Sequence, residues 1–218
     1  MRTFAELTDV DDPAWPYIRE EFADAPVAIE ILPVHSLDGA RCLQALQVTT
    51  RSALGALAFN TGGILVDHGW LRVLGGGNAA RWMVSLADLN DLSAGHPPAL
   101  LVGVDAIGGR FEVNGADPDA LGRPGEPGDI CYFAPDSLEW EPHVEGYGAW
   151  LSWIAAGGST SFYEGLRWQG WEDETRHLRL DQGISIYPPL NTREAQENPA
   201  ATSRRPVPLS ELGALTEW

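Results

Sequence analysis

The chain has 218 residues, and its 14 basic and 31 acidic side chains give a formal net charge of −17. All of the basic residues are arginines, which excludes a lysine nucleophile, a lysine Schiff base and a phosphate-loop lysine. So acidic a chain repels nucleic-acid phosphates, and no apolar stretch reaches the roughly 18 residues of a membrane helix. We therefore expect neither a nucleic-acid nor a membrane partner.

The acidic composition has two interpretations. It either keeps the protein soluble or steers a basic protein partner, such as a cationic nuclease or toxin, towards an acidic face. Residues Met1–Asp12 contain no apolar stretch and do not resemble a secretory signal. Cys42 and Cys131 lie in apolar surroundings, which is typical of buried thiols in a reducing compartment, although a single disulfide is compatible with them. We expect a cytoplasmic protein.

The first third of the chain predicts three helices and one strand. Asp12 followed by Pro13 is typical of a helix start, and Trp15, Ile18 and Phe22 then share one helical face. In chain order, the elements are a helix from Asp12 that ends before Pro26, a strand over Val27–Ile31, a helix from Ser36 or Asp38 to Gln47, and a helix that Ser52 caps and Asn60–Gly63 ends.

The middle of the chain, from Phe59 to Phe133, has the alternation and the turn residues of a β-sheet. A tight turn at His68–Gly69 joins the first two predicted strands, and a hairpin around Ile107–Gly109 joins the next two. Ser85–Asn90 is a short capped helix, and Gly115–Gly128 is a polar loop. The predicted strands are Ile64–Asp67, Trp70–Leu74, Leu100–Val104, Arg110–Asn114 and Ile130–Phe133.

The last third predicts helices at Tyr147–Ile154 and from Ser159, followed by a long surface loop over Asn191–Arg205. Helices, then paired strands, then helices predict an α+β fold with a mainly antiparallel sheet packed with flanking helices. We predict a single domain over residues 1–218. It comprises a helical lead-in (1–60), a β-rich core (61–133), tryptophan-rich helices (134–180) and an extended carboxyl-terminal segment (181–218).

The stretch Gly75–Ala80 matches the G-x-G-x-x-A pattern of dinucleotide-binding loops directly after a strand. Such glycines let the backbone approach a pyrophosphate at a helix N-terminus. Three predicted helices precede this match, however, and no acidic residue is clearly placed on a following strand. A turn between strands is therefore the favoured interpretation, and Asn78 is retained as a candidate binding residue.

No metal and no cofactor are predicted. The five histidines show none of the helical or C-x-x-C spacings that pre-arrange metal ligands, and no Gly-x-Ser-x-Gly nucleophile motif occurs. Asp67 and His68 are adjacent at a strand end, where neighbouring side chains point to opposite faces unless a turn rotates one of them. The sequence therefore contains no recognisable catalytic set.

Two alternatives to a binding module stay open. An enzyme acting on a small molecule or a carbohydrate would place its site near Asp67, His68 and Arg72, with a carboxylate such as Asp136 or Glu139. Sugar binding would instead need at least two exposed, coplanar tryptophans among the nine present. The near-helical intervals of the later tryptophans favour core packing over ligand contact.

Three segments resemble a bacterial family, domain of unknown function 2625. They are Asn60–Gly75 (NTGGILVDHGWLRVLG), Tyr132–Glu141 (YFAPDSLEWE) and Phe162–Trp168 (FYEGLRW). The resemblance covers most of the chain and implies no established activity.

More distantly, the order of features is similar to that of the SMI1/KNR4 (SUKH) superfamily, with a helix into a Gly-Gly turn, a strand into Leu-Gly, and then a hairpin. This likeness implies an α+β binding scaffold and an immunity-type role in which the protein neutralises a nuclease toxin. The insertion at Gly115–Gly128 and the extension after Trp171 depart from that pattern. We predict a non-catalytic binding module with a basic protein partner. Its candidate binding residues are Asp67, His68, Arg72, Asn78, Asp136 and Glu139.

Overall fold

A computed structural model describes residues 1–198 and 201–213. Its centre is a seven-stranded sheet in which each strand pairs antiparallel with its neighbours in chain order. The strands are β1 (Ile29–Leu32), β2 (Gly63–Val66), β3 (Leu71–Leu74), β4 (Ala99–Asp105), β5 (Arg110–Asn114), β6 (Ile130–Ala134) and β7 (Glu139–Val144). A separate hairpin pairs β8 (Gln182–Tyr187) with β9 (Ser203–Pro208). The predicted α+β fold with a mainly antiparallel sheet is confirmed.

Short helices flank the sheet. They are α1 (Phe4–Thr8), α2 (Trp15–Ala23), α3 (Ser36–Leu46), α4 (Ala53–Asn60), α5 (Leu86–Leu89), α6 (Tyr147–Ala155), α7 (Gly158–Phe162), α8 (Trp171–Arg176) and α9 (Arg193–Glu197). No helix within the described ranges is long and apolar enough to cross a membrane.

Local capping explains where α4 begins but not where α2 begins. Ser52 caps α4 as predicted, because its Oγ accepts a hydrogen bond from the Gly55 amide at 3.1 Å. The predicted start of α2 at Asp12 is wrong, since Ala14 occupies the N-cap position. Asp12 has a positive φ of 61°, and its carboxylate accepts from the Tyr17 hydroxyl at 2.8 Å. The aspartate therefore bonds a side chain of the helix and leaves its first amides uncapped.

An aromatic layer joins one face of the sheet to α6 and α7. The ring centre of Phe111 on β5 lies 5.1 Å from that of Trp150 on α6 and 4.7 Å from that of Tyr132 on β6. Gly103 on β4 makes room for this layer, because a Cβ there would lie 2.6 Å from the Trp150 ring. Trp70 and Trp150 are fully buried, as expected for tryptophans that pack the core.

The polar loop between β5 and β6 closes the other face of the sheet. Arg123 in this loop donates to the Glu112 carboxylate at 2.7 Å and to Asn114 Oδ1 at 2.8 Å, and all three side chains are buried. The guanidinium carbon of Arg123 also lies 3.6 Å from the ring centre of Trp140 on β7. The loop thus returns to the sheet through an ion pair whose charges are removed from water together.

The carboxyl-terminal third differs from the sequence prediction. β7 and β8 were not predicted as strands, and the surface loop predicted over Asn191–Arg205 is wrong, because α9 and the start of β9 lie within it. β7 is an edge strand that contains Pro142, and its residues do not show the apolar alternation that marks a strand. β9 pairs with β8 from Gln182 opposite Pro208 to Tyr187 opposite Ser203. Local periodicity does not reveal pairing between segments so far apart in the chain.

The Gly75–Gly77 turn after β3 packs directly on the α3–α4 helix pair. A Cβ on Gly76 would lie 2.7 Å from the Ala58 carbonyl oxygen on α4 and 3.0 Å from the Gly39 Cα on α3. A Cβ on Gly39 would in turn lie 2.4 Å from the Phe59 carbonyl oxygen. Backbone meets backbone at these positions, so only glycine fits.

We expect Gly76→Ala to lower the free energy of unfolding by about 1–3 kcal/mol, because the added methyl group meets backbone that cannot rotate away. The matched control is Gly148→Ala on α6, where a Cβ meets no atom within 4 Å. That substitution should stabilise the protein by up to about 1 kcal/mol through helix propensity. Urea denaturation of both variants measures the difference, and equal effects would contradict tight packing at the turn.

Candidate functional site

A cleft of about 750 Å³ opens between α3, the Gly75–Gly77 turn and α5. Trp82 and Met83 contribute apolar surface to it, and Arg41 also lines it. Most of its charged lining is acidic. The aspartates that line it are Asp38 on α3, Asp88 on α5, Asp91 just beyond that helix, and Asp181 immediately before β8.

The backbone amides of the glycine turn at the base of the cleft are already used. The Gly76 amide donates to the Thr61 carbonyl oxygen at 2.7 Å, and the Gly77 amide donates to the Gly62 carbonyl oxygen at 3.1 Å. A phosphate held at such a turn would need these amides to point at the ligand. This hydrogen bonding supports the turn interpretation of Gly75–Ala80 over the dinucleotide-binding one.

Asn78, a candidate binding residue, shapes the rim of the cleft. Its Oδ1 accepts from the Arg81 amide at 3.0 Å, and its Nδ2 donates to the Pro33 carbonyl oxygen at 2.8 Å. The short 3-10 turn Ala79–Arg81 that it caps ends at Trp82, which has a left-handed φ of 61° and is 53% exposed. Large side chains seldom adopt this backbone conformation. Here it leaves the indole accessible at the edge of the cleft.

Two of the cleft aspartates have neutral partners. Asp88 Oδ2 accepts from the Ser85 hydroxyl at 2.7 Å, and Asp91 Oδ1 accepts from the Ser93 hydroxyl at 2.9 Å. A hydroxyl orients a carboxylate without cancelling its charge. Asp88 and Asp91 therefore contribute uncompensated negative charge to the cleft.

The other two aspartates form ion pairs with exposed arginines. Asp38 pairs with Arg41 one helical turn later, and Asp181 pairs with Arg179. The side chain of Arg41 is 77% exposed and that of Arg179 is 47% exposed. Ion pairs this exposed contribute little and exchange readily with solvent or with another cation.

The cysteines offer no nucleophile to the cleft. Cys42 lines it, but burial raises the pKa of its thiol to about 11, so the thiol is protonated at neutral pH. Cys42 and Cys131 are both buried and free, and no disulfide joins them.

Asp67 is buried and is held from two sides. Its Oδ2 accepts from the Ser159 hydroxyl at 2.8 Å and from Arg167 Nη2 at 2.5 Å. Asp67 and His68 both have positive φ angles, of 48° and 59°, so the chain turns sharply between β2 and β3. This turn separates the carboxylate from the imidazole, and the carboxylate serves to dock α7 and the segment after it onto the sheet.

His68 faces α8 instead of Asp67. Its Nδ1 lies 3.2 Å from Arg176 Nη2, and its Nε2 lies 3.9 Å from the Glu172 carboxylate. A guanidinium only donates, so His68 Nδ1 accepts in this contact and the ring proton is on Nε2. His68 and Arg176 line a second, smaller cavity of about 270 Å³ beside β1.

Arg72 is fully buried and bonds to backbone carbonyls. Its Nε donates to Gly69 at 3.1 Å, and its Nη1 donates to Leu180 at 3.0 Å and to Gln182 at 2.5 Å. Burial lowers the pKa of its guanidinium to about 10, which still leaves it charged at neutral pH. Arg72 therefore joins β3 to the start of β8 and lines neither the cleft nor the smaller cavity.

Asp136 and Glu139 lie in the turn between β6 and β7 and at the start of β7. The hairpin of β4 and β5 separates this turn from Asp67, which lies at the same end of the sheet. The structure therefore brings Asp67 and His68 into one turn, and neither of the two cavities described above is lined by more than one of the six candidates. Asn78 lines the larger cleft, His68 lines the smaller one, and the other four line neither. In the described ranges, no group of three or more His, Cys, Asp or Glu could hold a metal ion.

Asp105, between those two turns, is a buried carboxylate that the sequence analysis did not single out. Its Oδ1 accepts from the amides of Ile107 (3.0 Å) and Gly109 (2.7 Å). Its Oδ2 accepts from the hydroxyls of Tyr132 (2.7 Å) and Tyr163 (3.2 Å). The residues come from two strands, a hairpin and the segment after α7, so no spacing in the sequence signals the cluster. Because Asp105 is fully buried, this cluster is a structural one.

The Asp105 cluster makes the stability depend on pH. Burial raises the pKa of the Asp105 carboxyl, against the hydrogen bonds that lower it. A raised native pKa adds stability below the unfolded-state pKa of about 4, and that contribution is lost as the pH rises through the native pKa. We expect the unfolding free energy of the wild type, relative to Asp105→Asn, to fall as the pH rises from about 4.

Urea denaturation in steps from about pH 4 to pH 8 tests this expectation. Asp24→Asn, at an exposed position, is the control for loss of one carboxylate. A difference between wild type and Asp105→Asn that stays constant with pH would contradict the expected coupling.

Comparison with known proteins gives a family but no activity. The chain matches the family described as a protein of unknown function, DUF2625, over residues 4–212. It is 36% identical over 214 residues to the uncharacterised protein YbfG of Escherichia coli strain K12, an alignment that covers 97% of this chain and 94% of YbfG. It is 33% identical over 196 residues to an uncharacterised protein of Haemophilus influenzae, covering 88% of this chain and 83% of that protein. No solved structure matches.

Proposed function

We propose that this chain, which belongs to the DUF2625 family of proteins of unknown function, is a non-catalytic binding module that holds a basic segment of a protein partner in its acidic cleft. The family expected from the sequence motifs is confirmed, and it brings no activity with it. The relationship to the SUKH superfamily stays a prediction, which the family match does not test.

The observation that carries the proposal is the convergence of four aspartates on one cleft. Asp38 and Asp88 come from the helices before and after the hairpin of β2 and β3, Asp91 follows the second of these helices, and Asp181 comes from the carboxyl-terminal segment. A concave surface lined by one sign of charge concentrates the field and raises the local concentration of oppositely charged groups. In a chain with a net charge of −17, this cleft favours a cationic partner.

The size and composition of the cleft fit a protein segment. Its volume of about 750 Å³ lies within the range of pockets that hold drug-sized ligands, roughly 300–1,000 Å³, which is room for a few side chains of a segment. Trp82 supplies an accessible aromatic ring at its edge, and tryptophan is enriched among the residues that dominate protein interfaces. The combination provides an apolar contact beside the carboxylates, which is what a mixed basic and apolar segment needs.

An immunity-type role is the specific form of this proposal in which the basic partner is a nuclease toxin. The motivation is the acidic charge together with the likeness of feature order to the SUKH superfamily. A toxin gene adjacent to the gene of this protein would support that form.

The alternative is an enzyme acting on a small molecule or a carbohydrate near Asp67, His68 and Arg72. Asp67 and Arg72 are buried and already bonded, and neither lines a cavity described above, which disfavours this alternative. Sugar binding needs two exposed tryptophans side by side. Within the described residues, Trp82 is the one tryptophan with an exposed side chain, so this geometry is not met there.

The test is capture of partners from extract of the native cell by the tagged full-length protein. We expect the double variant Asp88→Asn/Asp91→Asn to lose a basic protein that the wild type retains, because the cleft loses two charges. Asparagine preserves the fold here, since it accepts the same hydroxyl bonds and tolerates the left-handed φ of 45° at Asp91. The identified partner is then titrated calorimetrically against both proteins at low and high salt.

The matched control is Glu20→Gln/Glu21→Gln, which removes two charges from exposed positions on α2. Loss of the partner in the cleft variant alone supports the proposal. Equal binding by both variants would show that the cleft is not the binding site. Turnover of an ester, phosphate or glycoside by the purified protein, abolished by one point substitution, would favour the enzyme alternative.

A further inference from the structure

One face of the Trp82 ring, at the edge of the cleft, is covered by an arginine of the same chain. The guanidinium carbon of Arg179 lies 3.7 Å from the centre of the Trp82 ring, which is within stacking distance. The same guanidinium forms a two-pronged ion pair with Asp181, in which Nε lies 3.0 Å from Oδ1 and Nη2 bonds Oδ2. Trp82 and Asp181 both line the cleft. An aromatic face and a carboxylate thus hold one guanidinium between them.

This arrangement suits an arginine better than a lysine. A guanidinium is planar, so it can stack its face on an indole while its edge donates two parallel hydrogen bonds to a carboxylate. An ammonium is a compact point charge, so it has no planar face to stack on the indole and no rigid fork that donates two parallel hydrogen bonds. The chain, which contains no lysine, displays in Arg179 the kind of group that this part of the cleft binds.

Arg179 can leave this position without any change in the backbone. Its neighbours Leu178 and Leu180 pack against the core, and Arg72 bonds the Leu180 carbonyl oxygen at 3.0 Å. The backbone is therefore fixed on both sides, whereas the Arg179 side chain is 47% exposed. A rotation of that side chain into solvent would expose the Trp82 face and release the Asp181 carboxylate.

The geometry points to an arginine side chain of the partner as the group that the cleft binds beside Trp82, and to Arg179 as a built-in competitor for that position. The partner's arginine replaces Arg179 on the indole and takes over its bonds to Asp181. This inference rests on the proposed function, because it names the group that the acidic cleft recognises. Arg179 then sets the apparent affinity, since the partner binds only the fraction of molecules in which Trp82 is uncovered.

The matched control for Arg179 is Arg41, which also lines the cleft and pairs with one of its aspartates. Arg41→Ala and Arg179→Ala each remove one positive charge and leave one carboxylate unpaired. Their stacking differs, because only Arg179 of the two covers Trp82 among the ring contacts of the described residues. An increase in affinity for a cationic ligand that both variants share is therefore electrostatic. Any further increase in Arg179→Ala measures the competition between Arg179 and the ligand for Trp82.

The experiment titrates the full-length protein with a tri-arginine peptide and with a tri-lysine peptide, both acetylated and amidated, by calorimetry. We expect Arg179→Ala to bind tri-arginine about three- to tenfold more tightly than the wild type, because one exposed stacking contact and one exposed ion pair no longer compete. Arg41→Ala should gain about twofold at most. The affinity for tri-lysine should rise no more in Arg179→Ala than in Arg41→Ala. Trp82→Leu in the Arg179→Ala background should remove the excess gain for tri-arginine.

A second readout follows the Trp82 indole N–H resonance by NMR, assigned through its absence in Trp82→Phe. Tri-arginine should shift this resonance further in Arg179→Ala than in Arg41→Ala. Equal gains in tri-arginine affinity in the two alanine variants, or a gain that does not depend on Trp82, would overturn the inference. If binding still required Asp88 and Asp91, the proposed function would nevertheless stand. Binding unaffected by Asp88→Asn/Asp91→Asn would instead contradict the proposed function itself.

Discussion

Direct backbone contact between the Gly75–Gly77 turn and the α3–α4 pair holds these helices against the sheet. Gly76 and Gly39 bring the turn and the two helices within van der Waals distance of one another, and the amides of Gly76 and Gly77 bond carbonyl groups at the end of α4 and the start of β2. A side chain at Gly76 would push the helices away from the sheet. The same contact fixes the base of the acidic cleft, because Asp38 on α3 and the rim that begins at Asn78 extend from its two sides.

The carboxyl-terminal wall of the cleft is held by a buried cation. Arg72 bonds the carbonyl groups of Leu180 and Gln182, which flank Asp181 in the chain, and the Leu209 amide bonds the carbonyl of Asp181 itself at 3.0 Å. The Asp181 backbone is therefore fixed, although its carboxylate is at the surface. Arg72, which the sequence analysis named as a candidate binding residue, thus positions a residue of the candidate site.

The cleft combines a fixed backbone with side chains whose exposed ion pairs can be exchanged. Asp88 and Asp91 accept hydrogen bonds from serine hydroxyls and form no ion pair among the described residues, whereas Asp38 and Asp181 pair with exposed arginines. In the proposed binding mode, a cationic partner gains attraction from Asp88 and Asp91, and its arginine replaces Arg179 at Asp181. That mode attributes the salt dependence of binding mainly to Asp88 and Asp91, and the preference for arginine over lysine to Trp82 and Asp181.

Sequence patterns predicted the fold class, the helices α3 and α4 and the strands β2 to β6 to within about two residues, because capping residues and apolar alternation act over a few residues. They also indicated that the glycines of Gly75–Ala80 form a turn. The edge strand β7, the hairpin of β8 and β9, and the site emerged only from the folded structure. Asp38, Asp88 and Asp181 are far apart in the chain and meet only because the helices and the carboxyl-terminal segment pack on the same sheet. Local sequence patterns depend on residues that are close along the chain, whereas a binding cleft is formed by residues that folding brings together from distant positions.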